Sequence, residues 1–136
     1  MAFVLDASIV ACWFLDDENH IVADVALELL GAGSAVTPAP WWFEVRNMLL
    51  MSERRGRTTE AATTGFLRRL RTLAITVDRN PDEATVIRLA RQHRLTFYDA
   101  AYLELAQRAE IALATLDKAM VRAAQAMDVR LVGQES

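Results

Sequence analysis

A three-layer α/β/α sandwich around a parallel sheet of about four to five strands is the fold this sequence predicts. Short apolar runs alternate with segments of helical period along the chain, and strands alternating with helices favour a parallel sheet covered on both faces. The first of those runs, Ala2-Phe3-Val4-Leu5, lacks the in–out alternation of a half-exposed strand. Size agrees: 136 residues and 15.2 kDa fit one domain spanning 1–136. A chain of this length can bury about 68% of its unfolded surface without disulfides or metals as staples.

The run at residues 2–5 stops at Asp6, and Asp6-Ala7-Ser8 offers side-chain oxygens suited to starting a helix that continues through Ile9–Leu15. After the polar break at residues 16–19, Ile21, Val22, Val25, Leu29 and Leu30 recur at helical spacing, and Gly31 and Gly33 end that helix. Residues 34–37 read as a second strand closed by Pro38 and Pro40. Residues 41–51 and 58–73 form two helices, packed as a hairpin across Gly56. A third strand at 74–77 precedes Asn80-Pro81-Asp82-Glu83, which has the form of a cap, a first-turn proline and early acids for a helix to Arg94. Residues 95–98 are a connector, and Asp99 opens a helix over 100–110. A fourth strand at 111–115, a helix at 117–127 and a last strand at 129–132 complete the pattern.

The composition, 53% hydrophobic and 24% charged with 5 Gly and 3 Pro, excludes disordered, collagenous and low-complexity chains. The single Cys12 cannot form an intrachain disulfide, and its apolar setting reads as a small buried hydrophobe. The N-terminus lacks the basic flank of a signal peptide, and no window approaches the roughly 20 apolar residues of a membrane span. A reducing cytoplasm is the expected setting. The net charge of −3 hides an asymmetry, because residues 1–45 carry seven acids and no Lys or Arg while all fifteen bases lie beyond them.

Four acids stand out. Asp6 ends the first strand, Asp117 follows the fourth after Thr115-Leu116, Asp99 begins a helix, and Glu44 interrupts an apolar helix. Ligands in open α/β folds bind beyond the carboxyl ends of the strands, so neighbouring first and fourth strands would bring Asp6 and Asp117 together. Each Asp also has a structural explanation as a helix cap, stabilising by about 1 kcal/mol. Glu44 is different, since an unpaired carboxylate within Trp41-Trp42-Phe43-Glu44-Val45 is costly to bury. Asn47 and Met48 share its helix face and Arg46 does not. Two carboxylates about 5 Å apart repel by roughly 3 kcal/mol at an effective dielectric near 20. A hard divalent cation removes that cost, and an all-oxygen set suits Mg²⁺ or Mn²⁺. Cys12, His20 and His93 do not form a zinc set.

In Val4-Leu5-Asp6-Ala7-Ser8, in Glu44 with Asn47, in Thr96-Phe97-Tyr98-Asp99-Ala100-Ala101-Tyr102 and in Ala114-Thr115-Leu116-Asp117, the chain resembles a PIN-domain ribonuclease, specifically the VapC-type toxin of type II toxin–antitoxin systems. The resemblance spans nearly the whole chain, and the segment around Asp99 is its most specific part. It implies a PIN-like sandwich and a metal-dependent endoribonuclease leaving a 5′-phosphate and a 3′-hydroxyl. It further implies Asp6 and Asp99 as principal ligands of Mg²⁺ or Mn²⁺. Glu44 and Asp117 would complete the catalytic set, directly or through water. Ser8 would supply a hydroxyl to the metal's water network and Asn47 would support Glu44. The implied partners are an RNA substrate and a cognate antitoxin whose basic side chain blocks the acidic pocket, with the toxin a homodimer in a larger complex.

An RNA must still reach a negative pocket. Arg46, Arg54, Arg55, Arg57, Arg68, Arg69 and Arg71 lie within residues 46–71 beside only two Glu, and guanidinium groups suit phosphates and bases. This helical hairpin is the expected RNA guide. Trp13, Phe14, Trp41, Trp42 and Phe43 exceed the aromatic need of a small core, and some would line a groove for an antitoxin segment or a dimer partner. A haloacid-dehalogenase-type phosphatase also starts with an aspartate after its first strand, but it needs a second two residues on, where Ser8 stands. A response-regulator receiver needs paired acids near the first strand and a phosphoacceptor after the third, and Val77-Asp78 is a poor match. The alternative from another class is a non-catalytic RNA-binding or interaction module on the same fold. Retention of all four acids argues against it.

Overall fold

The computed structural model describes residues 1–134. Strands β1 (Ala2–Leu5), β2 (Ser34–Pro38), β3 (Ile75–Asp78) and β4 (Ala112–Ala114) form one sheet in the order β3-β2-β1-β4, every pairing parallel. Helices α1 (Ala7–Phe14), α2 (Ile21–Ala32), α3 (Pro40–Arg54), α4 (Glu60–Leu70), α5 (Glu83–His93), α6 (Phe97–Ala109) and α7 (Lys118–Ala126) fill the connections. Phe3, Val4 and Leu5 are all buried although successive strand residues point to opposite faces, so helices cover the sheet on both sides. Helices α2 and α6 each pack across β1, β2 and β4. The three-layer sandwich is therefore as predicted.

The differences lie at element ends. Residues 129–132 do not form a fifth strand. Leu131 makes a lone parallel bridge to Leu113, between Asp128 and Gly133, both at positive φ. Helix α5 is capped by Asp82, whose carboxylate accepts from the Thr85 N–H at 3.2 Å, and not by Asn80. Helix α2 runs through Gly31 and stops at Gly33. Cys12 is only partly buried, at the margin of the core.

The last correction bears on the site. Helix α6 starts at Phe97, inside the expected connector, because Thr96 Oγ1 accepts from the Asp99 N–H at 3.1 Å. Arg94 in the left-handed region closes α5 immediately before it. Asp99 thus sits in the first turn of α6 with its carboxylate released from capping duty.

Candidate functional site

Because β1 lies beside β4, the Asp6 N–H donates to the Ala114 carbonyl at 3.0 Å and the carboxyl ends of both strands share one edge of the sheet. Asp6 stands at the end of β1, and Asp117 three residues past the end of β4. Asp99 enters from the first turn of α6 and Glu44 from α3.

Asp6 is 4% exposed, and its Oδ2 accepts from Ser8 Oγ and from Thr115 Oγ1, each at 2.7 Å. The two hydroxyls are themselves fixed. Ser8 Oγ accepts from the Leu116 N–H at 3.0 Å, and Thr115 Oγ1 accepts from the Asp117 N–H at 3.0 Å. Each hydroxyl has one proton, and it goes to Asp6. Among the described residues nothing donates to Oδ1, so that oxygen is left to face the site. Asp6 makes no side-chain cap to α1, so its capping explanation fails. Only Asp117 caps, with Oδ1 accepting from the Met120 N–H at 3.0 Å.

Glu44 is half-buried, and its Oε1 accepts from the Tyr102 hydroxyl at 2.6 Å. Asn47 lines the same cavity but makes no hydrogen bond to Glu44 among the described residues, so the support expected from it comes from Tyr102. Sequence reasoning assigned no role to Tyr102 or Thr115. Two signals were available. A tyrosine three residues after Asp99 shares its helix face, and a buried phenol needs a polar partner.

The acids perturb one another. Burial pushes the Asp6 carboxyl up to about 6, against its two hydroxyl donors, and the charges of Glu44 and Asp99 push the same way. Burial raises Glu44, opposed by the Tyr102 hydrogen bond and reinforced by Asp99. Asp99 is raised by burial and then by the charge of Asp117. The Tyr102 phenol is held well above its ordinary value by burial, Asp6 and Glu44, which keeps its proton in place to donate. None of the four acids forms an ion pair among the described residues, whose salt bridges join Arg57 to Asp17 and Glu18, and Arg108 to Asp78 and Glu104.

No three His, Cys, Asp or Glu side chains among the described residues lie close enough to ligate one ion together. Asp6, Glu44 and Asp99 lie within Coulombic range of one another and Asp117 within range of Asp99, but no three of them close on one ion's direct shell. That donor set fits Mg²⁺, which keeps several waters and takes one or two direct carboxylates. Asp6 Oδ1, Glu44 Oε2 and Asp117 Oδ2 accept no protein hydrogen bond among the described residues.

The arginines divide. Arg57 is drawn away from the acids, pairing with Asp17 at 2.9 Å and Glu18 at 3.0 Å. With Arg69 it lines a cleft of about 580 Å³ that contains none of the four acids. Arg46 turns back along α3, donating to the Trp42 carbonyl at 3.1 Å with its guanidinium 4.2 Å over the indole. Arg54, Arg55, Arg68 and Arg71 are exposed. Of the aromatic group, Trp41 is core, Trp13 and Phe14 are partly buried, and Trp42 and Phe43 are exposed.

A family model described as the PIN domain matches residues 3–126. The chain belongs to the PIN domain family. PIN domains are generally nucleases, and PIN nucleases generally use divalent metals. Two solved structures share this PIN fold. PAE2754 from Pyrobaculum aerophilum is 24% identical, with a TM-score of 0.71 over 90% of this chain and 84% of that one. VapC20 of Mycobacterium tuberculosis, a Sarcin-Ricin loop cleaving toxin, is 17% identical, with a TM-score of 0.56 over 89% of this chain and 94% of that one. No curated protein matches the chain. Among the described residues no helix is long and apolar enough to cross a membrane.

Proposed function

We propose that this PIN domain is the toxin of a type II toxin–antitoxin pair, an endoribonuclease that hydrolyses RNA phosphodiester bonds at Asp6, Glu44, Asp99 and Asp117 with Mg²⁺ or Mn²⁺. One observation carries the nuclease reading: four carboxylates lie within reach of one another's charge without an ion pair among the described residues, and protein hydrogen bonds leave Asp6 Oδ1 free. The toxin assignment draws on the VapC-like segments and on the fold shared with VapC20. Its partners are RNA and an antitoxin, and it acts as a homodimer in the cytoplasm.

Asp6 and Asp99 would hold the ion directly, with Glu44 and Asp117 reaching it through water. When bound, the ion supplies Lewis-acid polarisation of a phosphoryl oxygen and lowers the pKa of water. Ser8 and Thr115 fix the rotamer of Asp6, and Tyr102 fixes Glu44 through Oε1. Glu44 Oε2 is then free to orient the attacking water and accept its proton, and the upward shift of this carboxyl makes it a better base near neutrality.

The test is cleavage of labelled single-stranded RNA in Mn²⁺ and in EDTA. Wild type is expected to cut only in Mn²⁺, and Asp99→Asn to be inert while retaining a cooperative melt. An equally active Asp99→Asn would overturn the reading. RNA binding without cleavage would instead favour a non-catalytic module.

A further inference from the structure

Beside the acids lies a cavity of about 480 Å³ lined by Pro40, Phe43, Glu44, Asn47 and Tyr98. Its aromatic walls come from different helices, Phe43 from α3 and Tyr98 from the first turn of α6, and each immediately precedes an acid of the site. Burial does not explain these rings, because Phe43 is 69% exposed and Tyr98 62%. Phe43 is nonetheless held, its ring meeting the Trp42 indole edge-on at 5.0 Å, and Trp42 carries the Arg46 guanidinium on its own face. Asn47 adds an amide with both donor and acceptor, whose side chain makes no hydrogen bond among the described residues.

We propose that Phe43 and Tyr98 stack on an unpaired nucleobase next to the phosphate being cut, with Asn47 hydrogen-bonding to the edge of that base. The inference rests on the nuclease reading above and names a subsite for it. A nucleotide whose phosphate lies against Glu44 and Asp99 has its base within reach of the residues next to them in sequence. An aromatic wall favours a base because every base has a π-face, and an amide suits a base edge. The cation behind Phe43 suits the flanking backbone. An apolar segment of a protein partner would cover the rings as well, but it would leave the Asn47 amide unmatched in the cavity wall.

The experiment measures binding of random-sequence single-stranded RNA decamers and of an abasic decamer, in an Asp6→Asn background that keeps the RNA whole. Loss of one stacking side chain is expected to weaken binding roughly 5- to 150-fold. Phe43→Ala and Tyr98→Ala should each show this loss with the normal decamer and none with the abasic one, and Tyr98→Phe should restore affinity. Asn47→Ala should relax the base preference found by sequencing the bound pool. Both rings are exposed, so melting temperatures should not move. The Mn²⁺-induced stabilisation of Phe43→Ala and Tyr98→Ala in the otherwise wild-type chain should match wild type, which keeps the metal site apart from this readout. Equal affinities of wild type and the alanine variants for the normal decamer, with Mn²⁺-dependent cleavage intact, would overturn the stacking subsite and leave the nuclease reading standing. Equal losses on the abasic decamer would also overturn it, as would unchanged RNA affinity with impaired binding of an antitoxin. Failure of the wild-type chain to bind or cut any RNA would overturn both readings together.

Discussion

Asp6 sets burial against charge. Its carboxyl is held at about 6 against an ordinary 3.8, so ionising it costs the metal-free fold about 3 kcal/mol. Between those values the folded state binds more protons than the unfolded state. The cost is therefore absent below about pH 3.8, grows through this window and is complete above about pH 6. In EDTA, Asp6→Asn should raise unfolding stability by about 1–3 kcal/mol at neutral pH and leave it nearly unchanged below the ordinary carboxylate range. Urea titrations at the two pH values check this, and equal effects at both would contradict it. Tyr102 acts on Glu44 in the opposite sense, as a donor that favours the ionised carboxylate. Tyr102→Phe should lower kcat roughly 10- to 100-fold, the value of a hydrogen bond to a charged group. It should also move the acidic limb of the pH–rate profile upward, because Glu44 loses the contact that opposes its upward shift.

Each acid reaches the site by way of the element that carries it, and here the sequence was informative in uneven measure. The apolar run at residues 2–5 placed Asp6 at a strand end. Adjacency of the first and fourth strands stayed conditional, because strand order depends on packing between distant segments that no local pattern encodes. Helix α6 starts three residues earlier than the sequence pattern predicts, since Asp99 looks like a cap until Thr96 is seen accepting its N–H. Residues 129–132 have strand composition, but the turns at Asp128 and Gly133 reduce them to a bridge. Within the arginine-rich hairpin, sequence could not separate residues by direction. Arg57 faces Asp17 and Glu18, whereas Arg71 is exposed and close enough to Arg46 for its charge to add to burial in lowering that guanidinium. Arg57→Gln should leave the melting temperature and RNA binding nearly unchanged, because an exposed ion pair adds little to stability. Arg71→Gln should reduce the slope of log K against log salt by about 0.7, as expected for one lost single-strand phosphate contact. Salt titrations of the two variants decide between them, and equal slopes would contradict the division.

Over the whole molecule, the first third of the sequence carries acids without Lys or Arg and all the bases lie beyond it, yet folding brings Asp6, Glu44, Asp99 and Asp117 from both parts within reach of one another's charge. That convergence costs stability that a bound cation would offset, which ties the nuclease reading to a property measurable without any substrate. Thermal unfolding of wild type and Asp99→Asn, each in excess Mn²⁺ and in EDTA, tests it most directly. At 100 times its dissociation constant a ligand specific for the folded state adds about 2.7 kcal/mol. Wild type should melt several degrees higher in Mn²⁺ than in EDTA. Asp99→Asn should lose most of that response and be the more stable of the two in EDTA, with one repelling charge removed. If Mn²⁺ shifts neither protein, the four carboxylates do not form a metal site and the proposed chemistry fails.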